Sequence, residues 1–192
     1  MSRSLPKLVG FLFLFLFMQG TMAQDGLIDY QKQVDMLVKL LSYNRNFLQG
    51  EGDIRIGLIY KNSPESIAYF NEFSESLMNV ISKGQKVGKR KITFSGLEFS
   101  SQADLNASAS TFNVAVFVVA PGNDGNLVPI SKVAQDLGIF TYSSVGQYLA
   151  QNVATGVENV DGQIKIVVNL PLAKIQGAQF KAELLQVARV IK

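Results

Sequence analysis

The clearest place for chemistry in this sequence is Pro121-Gly122-Asn123-Asp124-Gly125, one residue past the apolar run Val114–Val119. Backbone N–H groups in such a loop can cradle an anion, and open α/β sheets bind ligands just beyond the carboxyl ends of their strands. The competing reading is a turn that satisfies its own backbone. Pro-Gly and Asp-Gly form turns anywhere, so these five residues alone favour the turn. Neither glycine pattern matches a Walker or dinucleotide fingerprint. Tyr142-Ser143-Ser144 follows the next expected strand and falls on the same rim. A ligand would therefore belong between the two loops, with Gly122, Asn123, Asp124, Tyr142 and Ser143 as candidate contacts.

A second cluster is basic. Lys83, Lys86, Lys89, Arg90 and Lys91 place five positive charges in nine residues with no acid among them. Contact with an acidic partner or with phospholipid headgroups is the functional reading, carried by Lys86, Lys89 and Arg90. A solvated sheet edge is the plainer one, because lysines also discourage strand pairing. Paired carboxylates, Glu51 with Asp53 and Glu72 with Glu75, lack an accompanying base or nucleophile and read as surface. Histidine and cysteine are both absent, which removes the commonest general base and the usual transition-metal ligands. The residues call for no cofactor, no metal and no catalytic set.

The elements that must position these groups alternate. Arg3 and Lys7 precede the apolar run Leu8–Met18, and Thr21-Met22-Ala23 ends it with small residues, as in a secretory signal cleaved after Ala23. Those 11 residues, interrupted only by Gly10, are too few to span a bilayer core, which takes about 20. Without Arg3 and Lys7 the 18 basic residues become 16 against 15 acidic ones, so the exported chain carries +1 and nothing global points to nucleic acid. Residues 24–192 suit a single domain with a core of its own, held without disulfides.

Val34, Leu37, Leu41 and Leu48 mark an amphipathic helix from Asp29 to Leu48. Ile54–Tyr60 reads as a buried strand, and Ser63-Pro64-Glu65 starts a helix whose stripe is Ile67, Phe70, Phe73, Leu77 and Val80. Lys91–Phe94 forms a short second strand, and a polar Ser- and Ala-rich stretch leads to Val114–Val119. A helix from Pro129 to Gly138 and a strand Ile139–Tyr142 follow. Strands alternating with helices predict a three-layer Rossmann-like α/β domain with a mostly parallel open sheet. At its end, Val157–Val160 and Gln163–Val168 flank Asp161-Gly162 as an antiparallel edge hairpin. Asn169 then caps a short helix, Gly177 interrupts it, and Lys181–Val190 forms a last helix with Leu184, Leu185, Val187 and Ala188 inward.

The order Ile164-Lys165-Ile166-Val167-Val168-Asn169-Leu170, Gly177, Glu183-Leu184-Leu185-Gln186-Val187-Ala188 resembles the C-terminal segment of the YfiR-like family of small exported bacterial proteins. Lys86–Ile92 resembles the family's entry into its second strand, and Val34–Phe47 takes the place of its first helix. The resemblance covers nearly all of the exported chain. It implies a non-enzymatic periplasmic regulator, at most peripheral to the membrane, that binds the periplasmic domain of an inner-membrane signalling protein of the diguanylate-cyclase or sensor-kinase type. It leaves homodimerisation open and transfers no catalytic residue. Family members often carry Trp-Pro after the first helix and cysteines elsewhere; this chain has Phe47-Leu48 and no Cys, which excludes a disulfide switch. A rival resemblance is to one lobe of a sugar-type periplasmic binding protein, through Ile54–Tyr60 and the Ser-Pro helix start. Such proteins enclose a ligand between two lobes, and this chain has room for one.

Overall fold

The computed structural model describes residues 29–160 and 162–192. The expected signal segment and Asp161 of the expected turn lie outside them. Eight strands build one sheet: β1 (Ile54–Tyr60), β2 (Lys86–Val87), β3 (Arg90–Glu98), β4 (Val116–Val119), β5 (Phe140–Ser143), β6 (Thr155–Val160), β7 (Gln163–Asn169) and β8 (Arg189–Ile191). Their order across the sheet is β2-β3-β1-β4-β5-β6-β7-β8. From β3 through β6 every pairing is parallel, β7 runs antiparallel to β6, and β8 runs parallel to β7. The mostly parallel α/β sheet expected from the alternation is therefore present.

Both faces of the sheet are covered, which explains why β1 and β4 read as nearly continuous apolar runs. Ile54, Ile56, Leu58, Val116 and Val118 face a core built with α1 (Tyr30–Ser42), α2 (Arg45–Gln49), α3 (Pro64–Ser82), α7 (Leu170–Ile175) and α8 (Ala182–Val187). Ile59, Phe117 and Val119 face the other core with α4 (Gln102–Thr111), α5 (Leu127–Leu137) and α6 (Gly146–Leu149). After β1 the chain crosses through α3 to β3, then through α4 to β4 on the far side of β1. That reversal makes the carboxyl ends of β1 and β4 a topological switch point, where such sheets hold ligands.

Several elements depart from their sequence reading, each for a visible reason. The first helix ends at Ser42 because the Asn44 side chain accepts the N–H of Asn46 at 3.2 Å, starting α2, and the N–H of Gln179 at 3.1 Å. The Ser- and Ala-rich stretch is the helix α4, with Leu105 and Ala109 its buried residues and Ser101 capping Asp104 N–H at 3.1 Å. On α3 the buried face is Ser66, Tyr69, Phe73, Leu77 and Val80, while Ile67 is exposed and Phe70 half-buried. Rotation of the first two turns buries polar atoms that find partners: Ser66 Oγ accepts the Lys61 N–H at 2.9 Å, and Tyr69 reaches Gln33.

The C-terminal end follows the expected pattern as far as Asn169, which accepts the Leu172 N–H at 3.3 Å and caps α7. The final helix is shorter than expected. It stops at Val187, and Arg189–Ile191 becomes β8, covering β7 so that the hairpin lies inside the sheet rather than at its rim. Arg189 fastens that strand by a two-pronged pair with Glu158 at 2.5 and 2.8 Å. Leu184 is fully buried and Leu185 packs partly on the core, but Val187 is 73% exposed, against the inward position expected for it.

Candidate functional site

At the switch point a cavity of about 630 Å³ opens beyond the carboxyl ends of β1, β4 and β5, walled by the helix that follows β1 and by the loops that follow β4 and β5. Its floor and far wall come from helices. Tyr30 and Gln33 reach it from the start of α1, Glu65 and Tyr69 from the first turns of α3, and Gln147 and Tyr148 from α6. Pro121, Gly122 and Asp124 supply the β4 side, and Ser144 and Val145 the β5 side.

The β4 loop is built tightly. Gly122 has φ 81°, and a Cβ there would stand 3.2 Å from Ser63 Oγ at the head of α3, so both the backbone conformation and the space ask for glycine. Asn123 is fully buried. Its N–H donates to Tyr148 Oη at 3.0 Å and its Nδ2 donates to the Ala120 carbonyl at 3.0 Å. Asp124 accepts the Tyr148 hydroxyl at 3.0 Å and Gln147 Nε2 at 2.8 Å. The carboxylate is thereby fixed on the cavity wall. Glu65, from the first turn of α3, comes up beside this loop, its Oε2 lying 3.9 Å from where a Gly122 Cβ would be.

The aromatic wall is equally fixed. Tyr69 donates its hydroxyl to Gln33 Oε1 at 3.1 Å and receives that of Ser144 at 3.4 Å. Its ring stacks on Phe73 at 5.3 Å and meets Tyr30 edge to face at 5.5 Å. Burial pushes the Tyr69 phenol well above its ordinary value of 10.0. Tyr148 is likewise raised, by burial first and then by the hydrogen bond to Asp124. Both phenols are therefore neutral at physiological pH, and Ser144 Oγ faces a neutral phenol rather than a base. The arrangement suits binding: two carboxylates, neutral polar groups and aromatic surface, with no Lys or Arg on the lining among the described residues.

The residues singled out from sequence separate into three places. Gly122 and Asp124 line the cavity and Asn123 holds their loop from behind. Tyr142 and Ser143 are fully buried off the lining: Tyr142 donates to the Gln33 carbonyl at 2.9 Å, and Ser143 Oγ donates to the Val119 carbonyl at 2.8 Å. Lys86, Lys89 and Arg90 lie on the β2–β3 hairpin at one edge of the sheet, with Lys86 and Lys89 exposed. Arg90 turns back to donate to the carbonyls of Gly52 at 2.9 Å and Asp53 at 3.1 Å. Tyr30, Gln33, Glu65, Tyr69, Gln147 and Tyr148 were not singled out as ligand contacts. A signal for Tyr69 exists, since it continues the Phe73, Leu77 series backward by four residues, but the more apolar Ile67 and Phe70 obscure it.

Among the described residues no three His, Cys, Asp or Glu side chains stand together as metal ligands, and no helix is long and apolar enough to cross a membrane.

The fold, a mostly parallel α/β sheet covered by helices on both faces, is similar to that of several solved structures. An ABC domain from Streptococcus pneumonia solved in complex with L-Trp superposes with a TM-score of 0.58 at 16% identity, covering 85% of this chain and 62% of its own. A conserved domain protein from Vibrio cholerae gives 0.59 at 13% identity, covering 85% and 60%. The ligand-free, open form of a Clostridium difficile substrate binding protein with adhesive properties gives 0.57 at 15%, covering 83% and 60%. The chain thus spans about three fifths of these structures' length, and at such identity the likeness is one of fold. No curated protein matches its sequence. Residues 30–189 match the model of the YfiR/HmsC-like family, and the chain belongs to that family. The family is regulatory rather than catalytic, and periplasmic.

Proposed function

We propose that this protein is a non-enzymatic periplasmic regulator that binds the periplasmic part of an inner-membrane signalling protein, of the diguanylate-cyclase or sensor-kinase type. Membership of the YfiR/HmsC-like family over residues 30–189 carries the reading. On it, residues 1–23 are a signal peptide removed after Ala23, and residues 24–192 are the exported domain. The β2–β3 hairpin supports an acidic partner surface. Lys86 stands directly opposite Lys91 in the antiparallel register, a like-charge pair that costs stability unless an anion comes between. Deleting the gene should change cellular cyclic diguanylate or the output of an inner-membrane sensor kinase, and the wild-type copy should restore it. An unchanged output in both measurements contradicts the proposal.

A second reading, a small-ligand-binding module, is favoured by the position of the 630 Å³ crevice at the switch point. The two readings are compatible, because a ligand in the crevice can bias partner binding by its differential affinity for the bound and free forms.

A further inference from the structure

We propose that the crevice between the β4 and β5 loops binds a small organic cation, an ammonium group on a compact apolar body. The inference rests on the ligand-binding reading above and adds the chemical class. Charge is its first ground. Glu65 and Asp124 enter the lining from different elements, and among the described residues no Lys or Arg joins them. Asn123 N–H of this loop is turned to Tyr148 Oη at 3.0 Å and is not available to an anion in the cavity. An anionic ligand would meet two carboxylates, whereas an ammonium would meet two acceptors, both on solvent-exposed residues at the cavity's rim.

The second ground is the aromatic wall. Tyr30 and Tyr69 stand edge to face at 5.5 Å, and Tyr69 is braced by Phe73 behind it and by Gln33 at its hydroxyl. Tyr69 is buried behind this contact, so Tyr30, only partly buried, is the ring that can offer apolar surface to the ligand's body and π-electrons to its charge. The third ground is preorganisation. Tyr148 is locked between Asn123 N–H and Asp124, and Gln147 holds the other carboxylate oxygen at 2.8 Å. Asp124 therefore needs no rearrangement to receive a cation, which spares the ordering cost of binding.

The test uses three probes with one body: phenethylammonium, 3-phenylpropionate and phenylalanine, which carry the ammonium, the carboxylate and both. Calorimetric titration of the purified protein should show phenethylammonium binding at least about tenfold more tightly than either other probe. Glu65→Gln and Asp124→Asn should each weaken it by about tenfold or more, and Tyr30→Leu, which keeps apolar packing on Tyr69, should weaken it in a protein that still melts cooperatively. Tightest binding by phenylpropionate or phenylalanine, or indifference to both carboxylate substitutions, overturns the cation assignment and leaves the ligand-binding reading standing. A panel of these probes with choline, spermidine and glucose in which nothing binds overturns both.

Discussion

Tyr69, Tyr142 and Tyr148 are three of the six tyrosines, and the fold hides each phenol against a specific partner: Gln33 Oε1, the Gln33 carbonyl and Asp124. Burial raises all three above the ordinary 10.0. Because the folded values lie above the unfolded ones, the contribution of these phenols is complete below about pH 10 and is lost as the pH climbs from there through the folded values. Urea melts should therefore fall off only in the alkaline range, and tyrosinate absorbance should rise for these three as the protein unfolds rather than before. Six phenols ionising together near pH 10 in a still-folded protein would refute this. Removing one hydroxyl, Tyr69→Phe, should cost about 1 kcal/mol in a denaturant melt, since it deletes that hydroxyl's hydrogen bonds with Gln33 Oε1 and Ser144 Oγ. At this scale the sequence was least legible. Gly122 and Asp124 were visible as loop residues after the strongest strand, but Tyr30 and Tyr148 reach the same cavity from helices distant in the chain, and no local spacing marks them.

Among the elements, β1, α5 and the α7 cap were legible because each carries a local signal: apolar continuity, a Gly138 terminus, an Asn-x-x capping distance. α4 was not, since its helical face buries only Leu105 and Ala109 and its serines look like loop. β8 was not, since Arg189–Ile191 continues a helical spacing and only the open side of β7 draws it into the sheet. Two predictions belong here. A Cβ on Gly156 would land on the carbonyl of Ser143 in the neighbouring strand, so Gly156→Ala should destabilise by about 3 kcal/mol or more and lower the melting temperature accordingly. On α8, Leu184→Ala should cost about 2–5 kcal/mol as a cavity in the core, whereas Val187→Ala should stay within about 0.5 kcal/mol. Equal effects at the two positions would mean the helix is rotated from the orientation described.

For the whole molecule, the alternation of strands and helices carried the α/β sheet, and the order of weak core motifs carried the family. The partner is written in neither, because a binding surface need only complement something outside the chain. Two surfaces distinguish this molecule from a bare scaffold: the crevice at the switch point and the lysine hairpin at the β2 edge. They lie on different parts of one sheet, so a ligand and a protein partner can be accommodated together. The central claim, that this domain acts by holding the periplasmic part of a membrane signalling protein, is tested most directly by photocrosslinking in cells from probes placed at Lys86, Lys89 and Gln147. A regulator of this kind should yield a discrete adduct with one inner-membrane protein that has a periplasmic domain, lost when that protein is deleted. Export of the folded protein with no membrane signalling protein captured from any of the three positions would contradict it.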